Sequence, residues 1–400
     1  MEKHIMIAQK AYDTCDLYKR IYGDFIDFSI NDEIFGKLPI ITKKQVQLYY
    51  SKNDEWNLSN NDIDIYETSG TTGIPLKIIW SRDEYIKSNF YTWKYRTKWY
   101  NITPEMKYCT FHSCITSPKG IQKIDAVITN FGRTLSLGRY IFDNKTLTKY
   151  IEMIDSFEAE WLLAPTSVLL ILARYMIINN ISLPKIVYVE FNGEYVDSYA
   201  MDIVKKAFPN SKIANLYGST EFNGIALTCP FGQMHILKNN VFLESITTNG
   251  LSMLYVTGLI NTVMPLVRYQ IGDIGEISES SCKCGCTSPI LNLKKGRIHE
   301  LLQFKHNVHF DPAAFNNVVC EINCNYLIIL QFQIKIISYG KIELLILLNS
   351  EFKEKIEFLE SKILEMCKNL NPSLDYFVKF IYDETQMLNC KGKFSFIYYE

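Results

Sequence analysis

Apolar positions along the chain fall into two regimes. Between residues 76 and 275, short apolar runs alternate with segments of helical periodicity. The run at 76–80 predicts a strand, followed by a helix from about Asp83, a residue suited to an N-cap. Helical patterns over 145–157, 167–179 and 196–207 precede or follow apolar runs at 161–164, 185–190 and 212–217. Strands alternating with helices predict an α/β layer with much parallel sheet. After Arg297 the pattern changes. A short helix at 312–321 precedes two alternating runs, 327–337 and 341–348, separated by the hairpin signal Ser338-Tyr339-Gly340. A helix at 351–369 and a strand at 376–382 follow. This predicts a small α+β unit distinct from the first, with the polar Lys294-Lys295-Gly296-Arg297 at the boundary. The expected units are residues 1–296 and 297–400. No period of repeat length and no low-complexity segment interrupts this order.

Composition narrows the function classes. At 400 residues and 48% hydrophobic, the chain can bury more than one core. Its 42 Lys+Arg balance 43 Asp+Glu, which argues against a nucleic-acid binder acting through bulk charge. The N-terminal twenty residues are charged throughout and lack the apolar run of a signal peptide. The apolar stretch 161–172 is too short to span a membrane. A cytoplasmic protein is expected. Eleven cysteines, an odd number spread over a long chain, do not form a secreted disulfide framework.

The sharpest local pattern is Thr68-Ser69-Gly70-Thr71-Thr72-Gly73-Ile74-Pro75, placed just before a strand. Two glycines allow a tight turn and close approach to a ligand. Hydroxyls and exposed N–H groups can surround phosphate oxygens. No Gly-Lys-Ser/Thr closes the loop, so it is not a Walker loop. Three further segments follow in order: Tyr217-Gly218-Ser219-Thr220-Glu221, Arg268-Tyr269-Gln270-Ile271-Gly272-Asp273 and Gly296-Arg297. No nicotinamide fingerprint and no recognisable Ser/His/Asp arrangement is present.

A separate pattern suggests a metal. Cys282-Lys283-Cys284-Gly285-Cys286 is a dense thiol cluster, and Cys229 with His235 lies upstream in Cys229-Pro230-Phe231-Gly232-Gln233-Met234-His235. Three thiolates and one imidazole suit a tetrahedral structural zinc site. The expected ligands are Cys229, His235, Cys282 and Cys284, with Cys286 as substitute. Cysteines elsewhere, such as Cys109, Cys114, Cys320 and Cys367, read as ordinary thiols.

The four ordered motifs resemble those of the acyl-adenylate-forming superfamily, and the segment Pro265–Tyr269 with Cys282–Gly285 resembles its phenylacetate–CoA ligase-like branch. That resemblance implies a large N-terminal domain of mixed sheets and helices and a small mobile α+β C-terminal lid. It implies ATP-dependent activation of a carboxylic acid, aryl or small acyl, to an acyl-AMP, followed by transfer to the thiol of CoA or a carrier-protein phosphopantetheine. The roles it implies are specific. Ser69, Gly70, Thr71, Thr72 and Gly73 hold the β- and γ-phosphates. Thr220 lies at the α-phosphate and Glu221 binds Mg²⁺. Tyr217, Gly218 and Ser219, with Asn192-Gly193-Glu194, contact the adenylate. Asp273 accepts from both ribose hydroxyls, and Arg268 and Arg297 contact ribose or phosphate. Lys393, in Lys391-Gly392-Lys393-Phe394, matches the lysine that reaches the reaction from the small domain, with Phe394 and Phe396 alternating as a final strand. Phe111 and His112 fall where relatives build the acyl pocket, and Phe191 would suit an aryl acid. The hinge position, usually Asp or Lys in the family, is His299, which leaves the rotation open. Two rival readings remain: an adenylyltransferase that leaves AMP on an acceptor, and a non-catalytic nucleotide-binding zinc protein.

Overall fold

The computed structural model describes residues 2–23, 30–50, 62–68, 76–112, 115–117, 120–122, 126–138, 144–196, 198–248, 251–295, 302–304, 308–310, 314–322, 328–338, 340–348, 350–382, 386 and 397–399. Ser69–Gly73, Arg297, His299 and Lys393 lie outside them, as do Phe394 and Phe396.

Among the described residues, twelve strands form one sheet. Its centre is parallel: Lys212–Ser219, Tyr188–Asn192, Trp161–Pro165, Tyr108–His112 and Thr134–Gly138 run side by side. Helices Asn144–Phe157, Thr166–Ile178 and Ser198–Ala207 connect these strands, as the alternation predicts. They contribute Tyr150, Leu169, Leu172 and Val204 to a core against Leu162, Val189 and Phe191. Beyond Lys212–Ser219 the sheet turns antiparallel through Asn223–Thr228, Met234–Ile236, Ile290–Lys295, Tyr269–Ser278, Leu251–Gly258 and Val241–Thr248. It is therefore a mixed sheet whose parallel half meets its antiparallel half at the Tyr217–Glu221 motif.

Two boundaries differ from the sequence expectation for physical reasons. The long helix begins at Arg82, and its cap is Ser81, whose Oγ accepts from Glu84 N at 3.3 Å. Asp83 instead stands in the first turn, where its charge complements the helix dipole. The strand expected at 185–190 runs Tyr188–Asn192, with Glu190 fully buried in it. Apolarity alone misplaces a strand whose central carboxylate is neutralised by a partner far away in sequence.

Four short helices, Lys3–Thr14, Asp16–Tyr22, Asp32–Lys37 and Lys43–Tyr50, pack on the antiparallel half. Tyr18 fastens them: its hydroxyl donates to Pro265 O at 2.8 Å and accepts from Val267 N at 3.0 Å.

A second, four-stranded sheet lies C-terminal, with Ile329–Ser338, Lys341–Leu348, Asp375–Ile381 and Ile397–Tyr399. Helices Ala314–Ile322 and Ile356–Leu370 cover it with a core of their own, centred on Phe315, Phe332, Ile363 and Leu370. The Ile329–Leu348 pair is the hairpin expected at Ser338-Tyr339-Gly340; Gly340 has φ 86°, the left-handed region that a side chain disfavours.

Tyr18→Phe keeps the ring and deletes the hydroxyl, stranding a buried N–H and C=O. It is expected to cost about 1–3 kcal/mol in urea unfolding. An unchanged midpoint would show that the N-terminal helices are fastened elsewhere.

Candidate functional site

The C-terminal ends of parallel strands leave a crevice where a sheet changes connection, and ligands bind there in open α/β folds. In this protein that crevice is a cavity of about 510 Å³. Its rim holds Asn192, Gly193 and Glu194 from one strand end and Tyr217, Gly218, Ser219, Thr220 and Glu221 from the next, with Asp273 opposite and Thr68 at the edge. Three of the four sequence motifs thus contribute described residues to one cavity.

Local geometry explains why these residue types stand there. Lys212–Ser219 and Asn223–Thr228 form a hairpin closed by Phe222 N to Ser219 O at 3.2 Å, so Thr220 and Glu221 occupy its tip. A Cβ on Gly218 would stand 2.4 Å from Asn223 O, a backbone atom that has no freedom to yield. Only glycine allows the two strands to approach at the bulge between Tyr217 and Gly218. The Tyr217 hydroxyl donates to Asp273 Oδ2 at 2.7 Å, which ties the two motifs together. Tyr269 donates to Glu221 Oε1 at 3.2 Å, and the Glu221 carboxylate is 3% exposed. Ser219 Oγ is buried and meets no hydrogen-bond partner among the described residues.

Thr68 closes the base of the Ser69–Pro75 loop. Its Oγ1 accepts from Leu76 N at 2.8 Å and its N donates to Leu76 O at 2.9 Å. Strands Ile63–Glu67 and Lys77–Ser81 flank it as an antiparallel pair. The base of the loop therefore opens at the cavity edge.

The cavity floor was missed by sequence reasoning. Arg96, on the Arg82–Tyr100 helix, donates from Nε and Nη2 to Glu190 at 2.9 and 2.5 Å. Tyr188 donates to the same carboxylate at 2.6 Å. The guanidinium lies over Trp93 at 4.7 Å and Trp161 at 5.3 Å. A signal existed: Asn89, Thr92, Trp93 and Arg96 follow helical i, i+3, i+4, i+7 spacing, so they share one face.

Several expected site residues do other work. Arg268 is not among the residues lining this cavity; it pairs with Glu244 through Nε at 3.1 Å and Nη2 at 3.0 Å. Its Nη1 donates to Gly36 O at 2.9 Å and to Leu38 O. With every nitrogen engaged, Arg268 fastens the N-terminal helices. Phe191 points to the opposite sheet face and is buried in the helix core, because alternation along the strand gives the cavity face to Glu190 and Asn192. Phe111 packs against that same core, and His112 Nδ1 bonds Ser136 Oγ at 2.8 Å. Tyr108, at the start of their strand, is the residue that reaches the cavity.

Cys229, His235, Cys282 and Cys284 converge, with their ligand atoms all within 4.8 Å of one another. Cys229 Sγ and Cys282 Sγ are 3.8 Å apart, matching the edge of about 3.8 Å that Zn–S bonds of about 2.3 Å impose on a tetrahedron. His235 Nδ1 donates to Ser288 O at 3.0 Å, and its Nε2 faces Cys284 Sγ, 3.2 Å away. The residues fit the metal. Cys286 stays outside, its Sγ 4.0 Å from Tyr95 Oη. A hydrogen bond from the Cys284 backbone holds the Cys282 thiol down at about 7, while burial pushes Cys284 up to about 12.

No known protein-family profile matches the chain. Over 173 residues it is 31% identical to Protein CapK of Staphylococcus aureus; the match spans 42% of this chain and 38% of that protein, well under half its length. The whole chain matches 2-hydroxyisobutyryl-CoA ligase with 2-HIB-AMP and CoA in the thioesterification state, at TM-score 0.61 and 14% identity over 88% of that chain. It also matches the postadenylation state of that ligase with R3-HIB-AMP, at TM-score 0.56 and 13% identity, again over 88% of that chain. The protein therefore has the fold of the adenylate-forming acyl-CoA ligases. No helix among the described residues is long and apolar enough to cross a membrane.

The two readings of Arg268 separate experimentally. Arg268→Met leaves the Glu244 carboxylate largely buried without its cation and is expected to cost about 3–5 kcal/mol in chemical denaturation. A variant of unchanged stability with weakened ATP binding would restore the nucleotide role.

Proposed function

We propose that the protein is an ATP-dependent ligase that activates a small carboxylic acid and passes the acyl group to a thiol. The observation that carries this reading is the convergence of Tyr217–Glu221, Asn192–Glu194 and Asp273 on one cavity whose edge receives the base of the Ser69–Gly73 loop.

In the first step a carboxylate oxygen attacks the α-phosphorus of ATP. The bond from that phosphorus to the bridging oxygen breaks, and pyrophosphate leaves. Negative charge gathers on the phosphates, so donors and cations must be placed before reaction. Ser69, Thr71 and Thr72, with the glycines Gly70 and Gly73, hold the β- and γ-phosphates, and Thr220 stands at the α-phosphate. Glu221 supplies a carboxylate for Mg²⁺, which prefers few protein ligands and phosphate oxygens. Asp273, oriented by Tyr217, takes the ribose hydroxyls, and Arg297 adds a contact there. Lys393 neutralises charge as the mixed anhydride forms.

In the second step the thiol sulfur attacks the acyl carbon and AMP departs. The separate core of the C-terminal unit supports its assignment as a small domain, 297–400, that turns on His299 between the steps. The ligase of similar fold is described with CoA, which supports CoA over a carrier protein as acceptor. A structural zinc on Cys229, His235, Cys282 and Cys284 would close the knuckle, all four positions being filled by protein. The free thiols among the described residues suit a reducing compartment, the cytoplasm.

ATP–pyrophosphate exchange should appear with a small carboxylic acid, and Lys393→Ala should lower it by orders of magnitude without changing the circular dichroism spectrum. Exchange at the parental rate would remove Lys393 from the mechanism. Protein purified without chelator should carry one zinc per chain by elemental analysis, and Cys282→Ser should lower both zinc content and melting temperature. Metal-free protein of full stability would reject the zinc.

A further inference from the structure

Two motif segments carry the same pair of side chains. Tyr217–Glu221 begins with a tyrosine and ends with a carboxylate, and so does Tyr269–Asp273. Each tyrosine serves the other segment's acid. Tyr217 Oη donates to Asp273 Oδ2 at 2.7 Å, and Tyr269 Oη donates to Glu221 Oε1 at 3.2 Å. Tyr269, Ile271 and Asp273 alternate along their strand and so share one face. The Tyr217–Asp273 contact belongs to the ribose reading above. Tyr269 has no part in it.

Glu221 stands apart from the other buried glutamates. Glu190 is paired with Arg96 and Glu244 with Arg268. Glu221 is 3% exposed, and the neutral Tyr269 hydroxyl is its only side-chain partner among the described residues. Buried charges are kept where they are paired or coordinate a metal. Glu221 lines the cavity, so a divalent cation carried in with the nucleotide fits its donor chemistry. Mg²⁺ takes one or two protein carboxylates and fills its other positions with water and phosphate oxygens.

The main chain is held on both sides of Glu221. Trp80 Nε1 donates to Thr220 O at 3.4 Å, and Asn240 Nδ2 donates to Phe222 O at 2.8 Å and to Gly224 O at 2.7 Å. Asn240 is buried, and its Oδ1 accepts from Ser88 Oγ at 2.8 Å. With the backbone fixed, the freedom left to Glu221 is in its own torsions, and the bond to Oε1 restrains them. Tyr269 is fixed in turn. It is 1% exposed, and its ring centroid lies 5.9 Å from that of Phe222. Arg268, immediately before it, has φ 49°, a left-handed conformation that persists in a non-glycine residue only when the surroundings impose it. Here they do: Arg268 N donates to Thr257 Oγ1 at 2.9 Å, Ile41 N donates to Arg268 O at 3.2 Å, and Glu244, Gly36 and Leu38 hold the guanidinium. The strained residue thus sits next to the tyrosine that reaches the hairpin tip.

We infer that Tyr269 is a positioning residue: by holding Oε1 of Glu221 it leaves Oε2 as a one-oxygen ligand for the divalent cation of the nucleotide, which favours Mg²⁺ over Ca²⁺. Ca²⁺ accepts both oxygens of a carboxylate in a flexible shell, whereas Mg²⁺ demands near-ideal octahedral geometry. This rests on the ligase reading above and adds the residue that sets its metal ligand.

The test is calorimetric titration of the intact protein with α,β-methylene ATP, with and without Mg²⁺, beside titration with AMP alone. Mg²⁺ should tighten binding of the ATP analogue to the parent protein. Tyr269→Phe keeps the ring; it should weaken the Mg²⁺-dependent part of that binding about tenfold or more and leave AMP affinity within about twofold. The preference for Mg²⁺ over Ca²⁺ should narrow in the same variant. In a Glu221→Gln background, Tyr269→Phe should have no further effect, because the hydroxyl acts through the carboxylate. Additive losses in the double variant overturn the inference, as does a Tyr269→Phe protein whose Mg²⁺ dependence or cation preference is unchanged. A Tyr269→Phe protein that fails to fold, or loses AMP affinity to the same extent, also overturns it, since the hydroxyl is then a structural bond. Analogue binding to the parent that ignores Mg²⁺ overturns it as well. A parent protein that binds neither AMP nor the analogue overturns the ligase reading instead.

Discussion

The ion pair between Arg96 and Glu190 ties the site to the fold. It joins the long helix to the middle of the parallel sheet at a depth where neither charge meets bulk water. Such a pair gains little net stability, since desolvating both ions offsets most of their attraction. What it provides is position. The bidentate geometry fixes the helix against the Tyr188–Asn192 strand in rotation and register. Tyr188 from the same strand and the rings of Trp93 and Trp161 complete the enclosure. That contact fixes the Trp93–Arg96 turn of the helix against the sheet.

The Cys/His cluster supports the same, C-terminal, end of that helix. Trp99 lies 5.7 Å from His235, Tyr100 donates to Thr228 O at 2.6 Å, and Tyr95 lies against Cys286. The cluster also holds the turn after Asn223–Thr228, the strand that leaves the Thr220–Glu221 tip. A metal at this point would stiffen both the floor of the cavity and the hairpin at its rim without touching the ligand. Gly224 completes this join: a Cβ there would stand 2.2 Å from Thr92 Oγ1, so the strand approaches the helix closely enough to bury that hydroxyl.

Much of this was legible in the sequence where the signal is local. The alternation of strand and helix between 76 and 275 follows from apolar periodicity, which short-range sterics and burial enforce. The Gly340 turn and the need for glycine at 218 are likewise local backbone facts. Even the convergence of Cys229, His235, Cys282 and Cys284 could be read by type and spacing, because a tetrahedral site accepts few donor sets. Arg268 shows where such reading ends. Its place in a motif suggested a ligand contact, yet Gly36, Leu38 and Glu244 claim its donors, and none of them is near in sequence. Glu190 shows the same limit in a strand: a carboxylate looks like a boundary until its cation is known.

The sequence by itself determined the order of elements, the hairpin motif at Tyr217–Glu221 and the cysteine and histidine types that gather in one cluster. These depend on residues close enough along the chain to constrain one another directly. Only the tertiary structure decided which side chains face the cavity. Strand alternation sends Phe191 into the core and Asn192 to the rim, and helix packing turns Thr92 and Arg96 inward. The reason is physical: burying a charge or a hydroxyl is acceptable only beside a particular partner. Arg96 and Glu190, ninety-four residues apart in the chain, become partners only when the helix closes over the sheet.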